Sequence, residues 1–221
     1  MTGKHEATPP SPRARRSWRD RFCATPVRPG RSAAVRERLA DESEPERQRH
    51  NADLERAAAR IVVVDFSLVP VLARSADYSR HLAGLTDGGW ADPESVLTDR
   101  IRRQAVLYDP AKTVEILVGE SALRYPPCPP QIRRAQSARL TALLCLRRVR
   151  LGIIPLNAEL PTITEHGYSM FDDQVVVDIN HTEVTITDPA DVALYERITT
   201  ALWRSALKAD AARALLRRTG R

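Results

Sequence analysis

Apolar positions along the chain alternate between two rhythms, and each predicts an element. Ile61-Val62-Val63-Val64 is an unbroken β-branched run, which predicts a short buried strand. Before it, Glu46 to Arg60 is rich in Ala, Arg and Glu without Pro or Gly, and predicts a helix. Pro70 opens a short helical turn. Ser75 is a suitable N-cap for a helix over Ala76 to Leu85, which Asp87-Gly88-Gly89 ends. Asp92-Pro93-Glu94 has the composition of a helix start. Leu97, Ile101, Ala105 and Tyr108 then share one face, with Arg100, Arg103 and Gln104 opposite, until Asp109-Pro110.

Thr113 to Glu120 predicts a strand, Ile132 to Leu146 a helix, and Val149 to Leu156 another strand. Three extended pieces follow, Gly167 to Phe171, Gln174 to Ile179 and Thr182 to Thr187. Asp172-Asp173 and Asn180-His181 serve as hairpin turns between them. Asp188-Pro189 opens a long helix carrying Val192, Tyr195, Thr199, Leu202 and Ala206 on one face, and a last helix covers Ala209 to Arg218. The expected fold class is α+β, a mixed α/β layer in which one small mixed sheet of about five strands is covered by helices.

Charge divides the chain. The 34 Lys and Arg exceed the 28 Asp and Glu, a net of +6, but residues 1–40 alone hold ten basic and three acidic side chains. The same stretch contains Pro9, Pro10, Pro12, Pro26 and Pro29 and lacks apolar periodicity, so ordering it would cost entropy with little burial in return. Residues 1–46 are therefore expected to be a disordered basic tail, and residues 47–221 a single regulatory or effector domain. No apolar window is long enough for a membrane span and no signal-peptide core is present, so a cytoplasmic protein without membrane contact is expected.

Several stretches of the body occur in a familiar order: Leu68-Val69-Pro70 with Leu72, Asp77-Tyr78-Ser79-Arg80 with Leu82, and Arg100-Ile101-Arg102-Arg103-Gln104 with Leu107. Gly119-Glu120-Ser121-Ala122-Leu123-Arg124 follows, then Gln131 to Leu140, Ile153-Ile154-Pro155-Leu156, Val175 to Asp178, Asp188 to Tyr195, Ala206 and Asp210 to Arg218. In these residues the chain resembles the C-terminal domain of unknown function of actinobacterial Scr-type, toxin–antitoxin-like Xre helix-turn-helix transcriptional regulators. The resemblance implies a helix-turn-helix before this domain and a small cognate protein that the domain binds. Residues 1–46 show no helix-turn-helix, and Pro70-Val71-Leu72-Ala73-Arg74-Ser75 replaces the usual Pro-Gly-Leu-Leu-Gln-Thr.

Candidate chemistry is sparse. His5, His50, His81, His166 and His181 are singletons, and Cys23, Cys128 and Cys145 are scattered, so no metal or other cofactor is expected. Cys128 is framed by prolines as a loop residue, and Cys145 is expected in the core. Glu120 followed by Ser121 could imitate an acid beside a nucleophile, but a salt bridge to the next helical turn is the favoured reading, and no catalytic residue is assigned. Asp172 and Asp173 read as turn formers. Arg100, Arg103 and Gln104, a signature of the resembled family, are expected to form a buried polar network near Glu120 and Arg124. With Tyr78 they make up the candidate partner- or ligand-binding set.

The expected function is a non-catalytic regulatory or protein-interaction domain binding a small partner, with homodimerisation left open. One alternative is a DNA-contacting factor using Arg13, Arg15, Arg16, Arg19 and Arg21, which would supply non-specific phosphate contacts. Another is a small-ligand sensor or enzyme with a pocket near Tyr78, Arg103 and Glu120. An interaction domain predicts an exposed apolar patch without a deep polar cleft. A sensor or enzyme predicts a concavity in which polar groups converge.

Overall fold

The computed structural model describes residues 44–85, 93–179 and 182–220. In chain order these form α1 (Glu44–Ala57), β1 (Arg60–Asp65), a 3₁₀ turn (Val71–Ala73), α2 (Ala76–Ala83), α3 (Pro93–Arg103) and a second 3₁₀ turn (Gln104–Tyr108). Then come β2 (Thr113–Gly119), a third 3₁₀ turn (Glu120–Leu123), α4 (Pro130–Leu143), β3 (Val149–Ile154), β4 (Tyr168–Phe171), β5 (Gln174–Ile179), β6 (Thr182–Ile186), α5 (Pro189–Ser205) and α6 (Ala209–Thr219). All of them lie in one compact unit, Leu39–Arg221.

The strands make one sheet in the order β3-β2-β1-β4-β5-β6. β1, β2 and β3 run parallel, which requires crossovers, and α2–α3 and α4 supply them. β4, β5 and β6 form an antiparallel meander joined to the other side of β1. The mixed α/β layer is as expected, with six strands rather than about five. The edge strand β3 is closed by a reciprocal backbone pair between Ile153 and Leu207, at 2.9 and 2.8 Å.

Strand alternation sorts the side chains into two cores. Ile61, Val114, Ile116, Val118, Leu151, Ile153, Phe171 and Val176 face Leu72, Tyr78, Leu82, Leu140, Leu143, Ala212, Leu215 and Leu216 on one side. On the other, Val62, Val64, Leu117, Met170, Val175 and Val177 pack against Val192, Leu202 and Trp203 of α5. Gly152 lets the indole approach: a Cβ there would lie 2.5 Å from Trp203 and 3.0 Å from Leu117 and Ala206 side-chain atoms.

The predicted caps are present. Ser75 Oγ accepts from Tyr78 N at 3.2 Å, and the Asp188 carboxylate accepts from Ala190 N and Asp191 N at 2.9 and 3.4 Å. Asp172, at φ 50°, turns β4 into β5, and its carboxylate also accepts from Ala59 N and Arg60 N to fix the start of β1.

Other expectations fail for identifiable reasons. The α3 pattern holds at Leu97, which is buried, but fails after it: Ile101 and Tyr108 are 46% and 60% exposed and Ala105 is exposed, whereas Arg100 is buried and Arg103 and Gln104 face inward. The helix tightens to 3₁₀ after Arg103, which rotates the later residues off a 3.6-residue face. Cys145 is exposed, not core, because α4 ends at Leu143. Helix α1 begins at Glu44, inside the stretch assigned to the tail. The expected tail upstream of it, Asp87-Gly88-Gly89 and Asn180-His181 lie outside the described residues, as does Asp92.

Candidate functional site

Beyond the carboxyl end of β1, where the parallel half of the sheet meets the meander, lies a cavity of about 540 Å³. Such a crevice, at the point where the sheet changes direction, is where open α/β sheets commonly take ligands. Its walls come from α1 (Arg47, Gln48, Asn51, Glu55), from β1 and the following loop, from α3 (Arg100, Arg103), and from residues 165–169 at the start of β4. Val63, Leu68, Leu72 and Leu82 give it an apolar side.

Four arginines line this cavity, Arg47, Arg74, Arg100 and Arg103, and their settings differ. Arg103 is fully engaged: Nε and Nη2 donate to the two Glu55 carboxylate oxygens at 2.8 and 2.6 Å, and Nη1 donates to Gln48 Oε1. The two side chains are 9% and 3% exposed, so this is a buried bidentate pair binding α1 to α3. Arg100 is also buried. Arg74 is 7% exposed, and among the described residues its guanidinium makes a single hydrogen bond, from Nε to Val69 O at 2.6 Å. Burial pushes its pKa below the usual arginine value to about 10. The positive Arg100 and Arg103 add to that fall, while Tyr78 and Asp65 oppose it. Arg74 is still a cation at neutral pH.

The segment bearing Arg74 is held from both sides. Gln104 Nε2 donates to Val71 O and Arg74 O at 3.2 and 2.9 Å, while its Oε1 accepts from Arg139 at 2.9 Å. Gln136 Nε2 donates to Ala73 O, and its Oε1 accepts from Ser75 N, at 2.9 and 2.8 Å. Asp65, at the end of β1, accepts from Ser67 N and Leu68 N at 2.7 and 3.1 Å. Burial raises its carboxyl pKa; those two amides and the positive Arg74 only partly offset the rise.

The buried polar network expected around Arg100, Arg103 and Gln104 is therefore present, but its partners are Glu55, Gln48 and the 70–75 segment rather than Glu120 and Arg124. Glu120 and Arg124 form their own pair at 2.6 Å, and Leu156 N donates to Glu120 Oε2 at 3.1 Å. Ser121 Oγ donates to Phe66 O. Neither Tyr78 nor Glu120 lines the cavity, so of the pocket trio only Arg103 belongs to it. Tyr78 is buried behind it in the helix-covered core. Arg13, Arg15, Arg16, Arg19 and Arg21 lie outside the described residues.

Sequence reasoning missed Arg74, Glu55 and Asp65. The replacement of the usual glutamine-bearing stretch at residues 70–75 was the available signal, since it set an arginine in an otherwise apolar turn. A second concavity of about 310 Å³, beside Trp203, also carries basic groups, and two of its arginines are paired with carboxylates. Arg60 pairs with Glu196 and Glu115, and Arg150 pairs with Glu115 while its guanidinium stacks 3.8 Å from the Trp203 ring. Among the described residues no group of three or more His, Cys, Asp or Glu side chains is arranged for a metal ion, and no helix is long and apolar enough to cross a membrane.

The fold and cavity define a mixed α/β domain with a polar pocket at the switch point of its sheet. The chain belongs to the family described as a domain of unknown function (DUF5753), whose model matches residues 48–218. No curated protein matches it. Among solved structures it is similar to TrmBL2, an archaeal chromatin protein whose structure shows a novel mode of DNA binding. The two are 14% identical over 72% of this chain and 49% of that one, with a TM-score of 0.34. The chain thus spans about half the length of that protein.

Proposed function

We propose that this is a non-catalytic regulatory domain that senses a small ligand in its polar cavity, and that it serves a transcriptional regulator of the Xre type. The observation that carries this reading is the convergence of buried arginines on a cavity of about 540 Å³, within the range that encloses small organic molecules. Helix α1 gives the sensor an output. It docks through polar contacts, Arg103 to Glu55, Asn51 to Glu183 at 2.8 Å, and Lys112 Nζ to Arg56 O and Ala58 O at 2.7 and 2.6 Å. It also forms a wall of the cavity, so a ligand that touches it changes how firmly the first described helix is held.

The test is a thermal-shift screen of pooled metabolites on the full chain, repeated with Ser67→Trp. Ser67 is exposed at the cavity wall, where an indole would occupy the space without disturbing the core. A compound that raises the Tm of the parent protein but not of Ser67→Trp is the expected result. Equal shifts in both proteins would sink the proposal.

A second reading, docking of a small partner protein, is supported by Leu156, Leu160 and Ile163, all exposed on the β3–β4 connection. Ile163→Asp should weaken such a complex at least tenfold without lowering the Tm of the isolated domain.

A further inference from the structure

The ligand's chemical class is legible in what the cavity leaves unpaired, and this step rests on the sensing reading above. A buried guanidinium has lost its hydration, a penalty that proteins ordinarily offset with a carboxylate and a full set of acceptors. Arg103 has that arrangement, and in the second concavity Arg60 is likewise held by two carboxylates, Glu196 and Glu115. Arg74 does not: its only side-chain hydrogen bond among the described residues uses Nε, which leaves both terminal nitrogens for the cavity. No carboxylate among the described residues forms an ion pair with it: Glu55 is committed to Arg103, and Asp65, whose charge acts on Arg74 from a distance, turns its Oδ1 to the amides of Ser67 and Leu68.

Nor is Arg74 a side chain that could swing out to water. Gln104 and Gln136 grip the backbone at residues 73–75 from two helical elements, so the guanidinium is set in place before any ligand arrives. A fixed fork without an acceptor, beside a second buried arginine, matches the planar pair of oxygens of a carboxylate or phosphate.

We infer that the cavity takes a small organic anion, its carboxylate or phosphate bound between the Arg74 and Arg100 guanidinium groups and its apolar part resting on Leu68, Leu72 and Leu82. Binding supplies the acceptors that the Arg74 terminal nitrogens lack, so the anion also stabilises the fold in proportion to its affinity.

The experiment titrates the full chain with phenyl phosphate, benzoate and inorganic phosphate, with benzyl alcohol as the uncharged counterpart, following Tm and binding heat. At least one anion is expected to bind saturably and benzyl alcohol not at all. The phenyl phosphate and benzoate arms decide between phosphate and carboxylate. Arg74→Met is expected to weaken binding at least tenfold, Arg74→Lys less, and Arg150→Met, in the second concavity, not at all. If Arg74→Met does not fold, Arg100→Met and Ser67→Trp take its place, and each should weaken the same titration.

Unchanged anion affinity in a folded Arg74→Met or Arg100→Met protein overturns the inference, and so does the absence of any anion response in the parent. A neutral ligand found in the metabolite screen and blocked by Ser67→Trp would leave the sensing role standing while removing the anion.

Discussion

The two faces of this sheet are made by the same alternation of strand residues, yet they are finished in different ways. Under α5 the centre of the face is apolar, with charged Arg60, Glu115 and Arg150 only in the concavity beside Trp203: Val62, Val64, Met170, Val175, Leu202 and Trp203 close on one another, and Gly152 removes the one side chain that would hold the indole away. On the other face the β1–β3 half is equally apolar, but beyond the carboxyl end of β1 the filling changes to arginine, glutamate and glutamine around open space. Apolar closure is the cheaper way to stabilise a fold, because a buried ion pair gains little over well-packed hydrophobic residues. A domain that closes most of its sheet apolarly yet leaves one end polar and hollow fits the recognition role proposed above.

The largest effect that would test this contrast lies at the cavity wall. Glu55→Ala should cost ~3–5 kcal/mol in urea unfolding by stranding Arg103 in a buried site. The double variant Glu55→Met with Arg103→Met should recover most of that loss. If the single variant unfolds like the parent, the polar wall is not a coupled unit. On the α5 face, Gly152→Val should cost ~1–3 kcal/mol through collision with Trp203, with a change in indole fluorescence. Parental stability in that variant would mean that α5 yields to the added side chain and is not tightly packed on β3.

The smallest effects concern pH, and the two regions should differ in sign. Burial works to raise the Glu120 carboxyl, but the Arg124 guanidinium and the Leu156 amide outweigh it and hold its pKa below the ordinary 4.5. Its stabilising contribution is therefore present above pH 4.5 and lost as pH falls through the lower folded value. The stability gap between the parent and Glu120→Gln should accordingly shrink on acidification. Asp65 is shifted upward, so its ionised form burdens the fold as pH rises through the folded value, and Asp65→Asn should gain relative to the parent over that rise. Urea titrations at a series of pH values read both. Parallel curves for the two variants would remove the distinction.

Much of the fold could be read from the chain because it rests on local rules. β-Branched runs made β1, β2 and β3, and Ser75 and Asp188 capped the helices they precede. The α3 face was misread because periodicity reports which residues are similar, not which side a neighbour covers. Arg103 is inside because α1 brings Glu55 and Gln48 to it from 48 and 55 positions away. Tyr78 and Glu120 were drawn into the candidate site by their position in recurring motifs, and they serve the core and a helical-turn salt bridge instead.

The sequence by itself determined the layer architecture, the caps and the two apolar stripes of the sheet, since each depends on residues within a few positions of one another. Only the tertiary structure decided that the meander joins β1 on its far side, opening a crevice there, and that the two terminal nitrogens of Arg74 have no acceptor among the described residues. A charge is costly or useful according to what surrounds it, and those surroundings are assembled from α1, α3, the 70–75 segment and the start of β4, which meet only when the chain is folded.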